Sequence, residues 1–556
     1  MKREWWHTKT GYQIWPKSFQ DSNGDGIGDI PGIISRLDDL ARLGVDLLWL
    51  SPCYPSPLAD EGYDISDYEA IDPRFGTLDD LDRLLAEARD RNISVIMDLV
   101  VNHCSDEHPW FRKACEDPEG PYGKLFYIEK VKPGDPMPTN WRSYFGGTCW
   151  DPLPGHEGYV YLHLFHRKQP DLNWENPALR RAVYDMINRW LDRGVAGFRI
   201  DAIINIKKVL PFRRLPPDRA DGLVSVAKML SEADGVLEFL DEMAEETFRK
   251  HGAISIAELF DNKPEDLPLF IGEKGCFSSM FDFAPEMLGR SDKGWFDRKT
   301  VTPDEWKAAV FGSQRLASGI GFMANILENH DQPRGFSRYI PEGEQTETAK
   351  KMLAGLSFCL RGLPFLYQGQ EIGMEDTVFS SIADVDDCNT HGEYEAALSA
   401  GFSPEDAFHA VIPWSRDHAR TPVQWTGGKN AGFTEGTPWL PINPNYTSIN
   451  LEEQKSRPDS LWNFYRSLIA LRRDPHYQET LVYGEIVPYL EQESRLMAYE
   501  RRGECRILVV GNWRNEPRSI PLPGTPRQVL LTNLPVQLDG ETFMASGYQF
   551  TVFLMD

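Results

Sequence analysis

The chain has 556 residues, too long for one ordinary domain of roughly 100–200 residues unless that domain is a barrel. Apolar residues make up 41% and charged residues 26%, which excludes a disordered chain and falls short of a membrane-spanning composition. Lys+Arg 59 against Asp+Glu 84 leaves a net charge of −25, so nucleic acid and anionic membrane surfaces are repelled and neither is an expected partner.

The eight cysteines (Cys53, Cys104, Cys115, Cys149, Cys276, Cys359, Cys388, Cys505) are scattered, without the tight pairs that hold zinc. They read as small buried hydrophobes in a reducing compartment. The segment Met1 to Gln13 lacks the apolar run and cleavage site of a signal peptide, and no stretch approaches the length of a membrane span. A cytoplasmic protein is expected.

Short apolar runs alternate with amphipathic helical stretches in chain order. The strand candidates are Tyr12–Trp15, Asp46–Leu50, Ile93–Leu99, Ala196–Ile200, Ile254–Ala257, Met280–Phe283, Met323–Leu327 and Leu363–Tyr367. Between the first two, the apolar positions of Ile33–Leu43 share one helical face; further on, Thr77 with Asp80 forms a capping-box pattern ahead of Leu81, Leu84, Leu85 and Ala88. Eight strands with intervening helices predict an α/β fold, a (β/α)8 TIM barrel. Cys104 to Asp171 is too long and too rich in Pro, Gly and aromatics for a strand-to-helix loop, and predicts a subdomain inserted after strand 3. From about Gln478 short β-rich runs take over, predicting a C-terminal antiparallel β-sandwich. The expected domains are residues 1–103 with 172–477, then 104–171 as the insert, and 478–556.

Catalytic side chains of such a barrel project from the C-terminal ends of its strands. Four ends are loaded: Asp98-Leu-Val-Val-Asn-His103, Gly197-Phe-Arg-Ile-Asp201, Ala257-Glu258 and Glu328-Asn-His-Asp331. Asp201, Glu258 and Asp331 thus converge on one mouth with Arg199, His103 and His330 near them. Paired carboxylates suit glycosidic cleavage, one ionised to attack the anomeric carbon and one protonated to release the leaving oxygen. Arg199, two residues before Asp201 on the same strand face, would hold Asp201 ionised. Any one of these carboxylates could instead cap a helix or pair with a rim arginine; four loaded ends together point to chemistry.

The loop Asp21-Ser-Asn-Gly-Asp-Gly-Ile-Gly-Asp29 alternates oxygen donors at Asp21, Asn23, Asp25 and Asp29 with glycine at its sixth position, as hard-cation loops do. Its twelfth position is Gly32, so it is not an EF-hand. A metal-free loop of Asx turns is the other reading.

The sequence resembles the α-amylase superfamily of retaining glycoside hydrolases, family 13, and within it the oligo-1,6-glucosidase-like α-glucosidases, over nearly its whole length. The motifs are Tyr12-Gln-Ile-Trp-Pro, the Asp21–Asp29 loop, Gly62-Tyr-Asp-Ile-Ser-Asp-Tyr68, Gln169-Pro-Asp-Leu-Asn-Trp174, Asn329-His-Asp-Gln-Pro-Arg334 and Ala419-Arg-Thr-Pro-Val-Gln-Trp425. The resemblance implies that Asp201 is the nucleophile, Glu258 the general acid/base and Asp331 the third carboxylate, which holds sugar hydroxyls and stabilises the transition state. It implies that Arg199, His103, His330 and Arg334 serve the sugar site, Tyr63 and Asp64 bind or stack on the glucose, Phe165 and Gln169 flank it, and Asp60 pairs with Arg420 to close the pocket on its terminal hydroxyls. A surface salt bridge is the plainer reading of that last pair. The resemblance further implies a structural calcium ion on Asp21, Asn23, Asp25, the Ile27 carbonyl and Asp29, and no organic cofactor.

Trp150 and Trp295 are candidate sugar-stacking residues. The basic cluster Lys207, Lys208, Arg213 and Arg214 is either a solvated face or a seat for a phosphorylated sugar. Ala202 stands where isomaltose-type relatives usually carry Val, and Phe260 replaces a smaller residue after the acid, so linkage preference stays open. The expected activity is exo-acting retaining hydrolysis of short α-glucoside oligosaccharides by a monomer or homodimer. Transglucosylation or sucrose isomerisation, trehalose-6-phosphate hydrolysis, and a binding module or non-enzymatic scaffold are the alternatives.

Overall fold

The computed structural model describes residues 2–219, 221–260 and 264–556. Eight parallel strands close into a barrel: β1 (Gly11–Ile14), β2 (Leu47–Leu50), β3 (Ser94–Leu99), β4 (Gly197–Ile200), β5 (Ile254–Ala257), β6 (Ser279–Phe281), β7 (Met323–Asn325) and β8 (Leu363–Tyr367). Each pairs with its neighbours in sequence, and β8 closes on β1 through Gly11 to Phe365. The strands are short and almost wholly buried on both faces, as parallel strands under a layer of helices must be. Gly197 opens β4 at φ +153°, where a Cβ would meet the Ile254 carbonyl oxygen at 1.9 Å, so only glycine lets β4 and β5 approach.

The capping box at Thr77 and Asp80 is present and starts the helix Leu78–Asp90. The apolar face of Ile33–Leu43 is carried by two helices, Ile30–Ser35 and Leu37–Leu43, separated at Arg36. The break lets Asp29 cap the first of them through the Gly32 amide.

The segment after β3 holds the helix Pro109–Glu116 and a three-stranded sheet of Ile128–Lys130, Tyr159–Leu162 and Trp150–Pro152. Its core is not self-contained. Trp141–Arg142 pairs in parallel with Val224–Ser225, and Trp141, Trp150, Leu162 and Leu164 pack with Val209, Leu215, Val224 and Met229. The excursion after β4 therefore completes the insert, a partnership between distant segments that no local pattern reveals.

The helix Gln478–Tyr483 runs past the expected domain boundary, and the C-terminal sheet starts at Glu485. Five antiparallel strands, Glu485–Tyr489, Leu496–Arg502, Arg506–Asn512, Phe550–Met555 and Pro526–Thr532, face a three-stranded sheet of Arg518–Pro521, Thr542–Ala545 and Leu538–Asp539. Leu508, Val510, Ile520, Phe543 and Phe553 fill the space between them, making the sandwich. It is tied to the barrel by Tyr499, whose hydroxyl donates to the Leu356 carbonyl at 2.7 Å, and by Arg501, which donates to that of Cys359.

Insert and barrel meet at a buried ion pair. Lys208 Nζ lies 2.7 Å from Asp171 Oδ2 with both side chains out of solvent, and donates to Asn102 Oδ1 at 2.8 Å. Removing one partner of such a pair strands the other charge in a medium that cannot solvate it. Lys208→Met is expected to lower stability by about 3–5 kcal/mol; urea unfolding checks this, and an unchanged midpoint would show that Asp171 is otherwise neutralised.

Candidate active site

The backbone ladder continues one step past β4 and β5. Asp201 N–H donates to the Leu99 carbonyl and Glu258 N–H to that of Ile200, each at 2.9 Å, which fixes both carboxyl-bearing residues at the strand ends. Arg199, inward-facing on β4 and fully buried, is the hub. Its Nη1 donates to Asp98 Oδ1 at 2.8 Å and to Asp201 Oδ1 at 2.7 Å, and its Nη2 lies 2.6 Å from Glu258 Oε1. The other Glu258 oxygen accepts the Ala202 N–H at 2.9 Å, so the residue next to Asp201 anchors Glu258. Ala202 takes a left-handed conformation at φ 39°, a strained position for a residue with a Cβ and one that recurs at functional sites.

One guanidinium facing three carboxylates leaves excess negative charge. Burial pushes Asp201 up well above the ordinary carboxyl range, against the pull of Arg199 and with repulsion from Glu258 and Asp98 adding to it, so the expectation that Arg199 alone holds Asp201 ionised is corrected: burial and two neighbouring carboxylates outweigh it. Burial raises Glu258 for the same reason. The cluster therefore keeps a proton that exposed carboxylates would lose, and its titration belongs to the group rather than to one residue.

Asp331 is different. Burial opposes its charge, but His330, Arg416, Arg420 and Arg199 together outweigh that and hold it well below the usual range. Its Oδ1 sits 3.2 Å from Arg416 Nη1 and 3.1 Å from Arg420 Nη2. A carboxylate so held cannot donate a proton, so acid catalysis falls to Asp201 or Glu258.

His330 is stacked between Tyr63 and Trp15, with ring centroids 5.4 and 5.1 Å away. Gln13 Nε2 approaches its Nδ1 at 2.7 Å, and its Nε2 faces the Tyr63 hydroxyl at 2.5 Å and Asp331 at 3.0 Å. Desolvation lowers its pKa far below the ordinary value, so the ring is neutral: Nδ1 accepts from Gln13 and Nε2 donates. The Tyr63 hydroxyl donates onward to Asp98 at 3.0 Å.

These groups border a cavity of about 260 Å³. Of the expected site residues, Asp60, Tyr63, His103, Phe165, Asp201, Glu258 and Asp331 line it. Arg199 and His330 stand behind that wall and hold it. Four others, Asp64, Gln169, Arg334 and Arg420, do not line it. Asp64 is buried, accepting from Ser56 Oγ and the Ala59 and Asp60 amides, and shapes the turn that presents Asp60. Gln169 bridges Asp60 and His103 at 3.1 and 3.0 Å. Arg334 is spent on Glu328 and the carbonyls of Gln368 and Ala419.

The expected pairing of Asp60 with Arg420 is not formed. Arg420 stacks on Trp15 and binds Asp331 and the His330 carbonyl, while Asp60 Oδ1 meets Arg416 Nη2 at 3.1 Å, with Asp387 Oδ1 on the same nitrogen at 2.7 Å. The two arginines are four residues apart, and the short helix Asp417–Arg420 brings both to the cavity end, so the choice between them was open to a sequence reading. Trp150 is buried in the insert core and donates to Thr139 at 2.9 Å, whereas Trp295 lines the cavity. The basic cluster disperses: Lys207 pairs with Glu175, Lys208 with Asp171 and Arg213 with Glu232. Cavity residues outside the expected set include Tyr144, Phe145, Arg298, Glu393 and Arg416; none of them lies in a motif the sequence offered, although Arg416 stands three residues before the one that begins at Ala419.

In the Asp21–Asp29 loop, Asp21 accepts the amides of Asn23, Gly24 and Gly26, Asn23 that of Asp25, and Asp25 Oδ1 that of Ile27. Among the described residues no group of three or more His, Cys, Asp or Glu side chains is gathered to hold a metal. The donor set is all oxygen, and Asn23 Oδ1, Asp25 Oδ1 and Asp29 Oδ1 accept one hydrogen bond each and keep a lone pair, which fits a hard cation, whereas both Asp21 oxygens already accept two, Thr434 being among the donors.

A family model for the alpha-amylase catalytic domain matches residues 13–484, and the chain belongs to that family of glycoside hydrolases. The oligo-1,6-glucosidase of Halalkalibacterium halodurans is 39% identical over 563 residues, covering 100% of this chain and 99% of the relative. Among solved structures, the trehalulose synthase of Pseudomonas mesoacidophila matches with a TM-score of 0.94 at 34% identity over 100% of both chains. The trehalose-6-phosphate hydrolase of Bacillus licheniformis matches with a TM-score of 0.90 at 36% identity over 99% of each. No helix among the described residues is long and apolar enough to cross a membrane.

Buried acids outside the catalytic cluster set a pH dependence of stability. Burial raises Glu286 to about 8, against the pull of Arg338 and Arg290, and Glu371 to about 7. In the unfolded chain these groups titrate near 4.3, so the fold holds protons that the unfolded chain has released. Their contribution is complete below pH ~4 and is lost as pH rises through 7 and 8. Tm should therefore fall between pH 6 and 9, and Glu286→Gln should flatten the upper part of that fall; a Tm that rises over this range contradicts the assignment.

Proposed function

We propose that this glycoside hydrolase is an exo-acting α-glucosidase that releases terminal α-linked glucose from short oligosaccharides with retention of configuration. The carrying observation is the Arg199 hub: Asp201 and Glu258 share one guanidinium in a cluster that retains a proton, which this reading places on Glu258, at the wall of a cavity bordered by Asp60 and by Arg416, with Asp387 behind Arg416. In the first step Asp201 attacks C1 of the glucose while Glu258 gives its proton to the leaving oxygen; in the second, Glu258 takes a proton from water as it displaces Asp201. The ionised Asp331 accepts sugar hydroxyls and faces the positive charge that develops on the ring. The closed end leaves room for one terminal sugar, which supports exo action. The oligo-1,6-glucosidase relative supports α-1,6 linkages as substrates, and the small Ala202 beside the nucleophile leaves α-1,4 linkages admissible. A sugar hydroxyl in place of water would give transfer, the activity the trehalulose synthase neighbour represents.

The eight cysteines are free thiols, which supports a cytoplasmic setting, as a monomer or homodimer. A calcium ion held by Asp21, Asn23, Asp25, the Ile27 carbonyl and Asp29 would brace the loop ahead of the first barrel helices, far from the chemistry. Adding Ca²⁺ after EGTA treatment is then expected to raise Tm, by an amount corresponding to about 2.7 kcal/mol at a hundredfold excess over Kd; Asp25→Ala should abolish the rise, and no response would leave the loop to its own hydrogen bonds.

Glucose release from maltose, isomaltose, sucrose, trehalose and trehalose 6-phosphate in parallel tests the activity. Release from at least one of them is expected, with kcat lowered about 10³-fold or more in Asp201→Asn, the scale of losing a reacting group. Release unaffected by that substitution would remove Asp201 from the mechanism.

A further inference from the structure

The lining of the cavity also includes Phe260, two residues after the acid Glu258 and with the Arg290 guanidinium over its ring, together with Trp295, Arg298 and Glu393. Arg298 lies largely buried with its guanidinium between the rings of Trp295 and Trp414, 4.7 and 5.2 Å from their centroids. Among the described residues nothing forms a hydrogen bond or ion pair with it. The charged groups around it are mostly of its own sign: Arg290 and Arg338 repel it, and only Glu393 attracts it. Burial, with that repulsion, pulls its pKa down to about 9. Glu393 is partly spent, accepting the Trp295 N–H at 2.8 Å, and burial raises it towards its neutral form.

Two aromatic faces give a cation some compensation, but the N–H donors of Arg298, partly exposed to the cavity, find no acceptor from the protein. In a protein of net charge −25, acids to neutralise it are abundant, and the other basic residues singled out near the nucleophile strand have found theirs. An unanswered guanidinium that opens into a substrate cavity answers to the substrate.

On the α-glucosidase reading, we propose that the leaving-group end of this cavity accepts an anionic substituent, a phosphate or a carboxylate, on the departing part of the substrate, with Arg298 as its ion-pair partner. The anion supplies the acceptors that the protein withholds, and Trp295 and Trp414 hold the guanidinium plane fixed for a forked contact. Arg298 acts on binding and specificity; bond making and breaking stay with Asp201 and Glu258.

The test compares kcat/KM for pairs of α-glucosides: trehalose against trehalose 6-phosphate, and a neutral glucosyl glycerol against glucosyl glycerate. At least a tenfold preference for one anionic member is expected, carried by KM, weakening with added salt, and falling towards one in Arg298→Gln while Arg298→Lys retains part of it. Preference for the phosphate or for the carboxylate identifies which anion is meant. Equal kcat/KM within both pairs, or a preference that survives Arg298→Gln, overturns the proposal while leaving the glucosidase reading intact; the absence of glucose release from every neutral and anionic substrate overturns that reading instead. Where Arg298→Gln fails to fold, the wild-type ratios and their salt dependence decide.

Discussion

Everything at the mouth of the barrel depends on one buried guanidinium. Arg199 has no exposure worth the name, and an isolated charge there would be prohibitively unstable. It is tolerated because β3, β4 and β5 each deliver a carboxylate to it, and each delivery is set by a parallel ladder whose register is fixed. The dependence runs both ways: without Arg199 the three acids would repel one another in a medium of low polarisability. The arrangement is better understood as positioning than as stabilisation, since a buried ion cluster rarely outdoes apolar packing of the same volume. Its product is two carboxyl groups held on one guanidinium in a cluster that retains a proton, and a third, Asp331, kept ionised with the help of a separate pair of arginines.

Function then follows from asymmetry around that cluster. At one end Asp60, Arg416 and Asp387 satisfy one another and close the cavity. The Arg416 guanidinium is held by three carboxylates, Asp60, Asp331 and Asp387, which fixes the end wall in place. Elsewhere the lining is aromatic and basic, and the Arg298 guanidinium there takes no acceptor from the protein. Paired charges beside Asp60 and a guanidinium without a protein acceptor at Arg298 let electrostatics as well as shape tell parts of a substrate apart.

Much of this was legible in the amino-acid sequence, for identifiable reasons. The barrel strands are continuous apolar runs because both faces are buried, and the carboxylates follow those runs directly because the ladder holds them at the strand ends; both facts are local. The partner of Asp60 was not local. Arg416 lies just ahead of the motif that holds Arg420, and only the turn of the short helix between them decides which faces Asp60 and which stacks on Trp15. Asp64, Gln169 and Arg334 sit in the expected motifs yet support the wall rather than form it, a distinction of depth that residue type does not carry. The shared core of the insert with the excursion after β4 depends on pairing between Trp141 and Val224, residues separated by an entire strand and helix of the barrel. Arg298 lay in a stretch with no motif at all, and its meaning comes from what fails to surround it.

The central claim is that the Arg199 hub makes Asp201 a nucleophile whose partner Glu258 is the acid. Incubation with 5-fluoro-α-glucosyl fluoride, which forms the glucosyl-enzyme faster than it is hydrolysed, followed by proteolysis and mass spectrometry, measures this directly. The account predicts one covalent sugar on the peptide containing Asp201, and none in Asp201→Asn. A label on another residue, or steady turnover with no covalent species and inverted product, would contradict it.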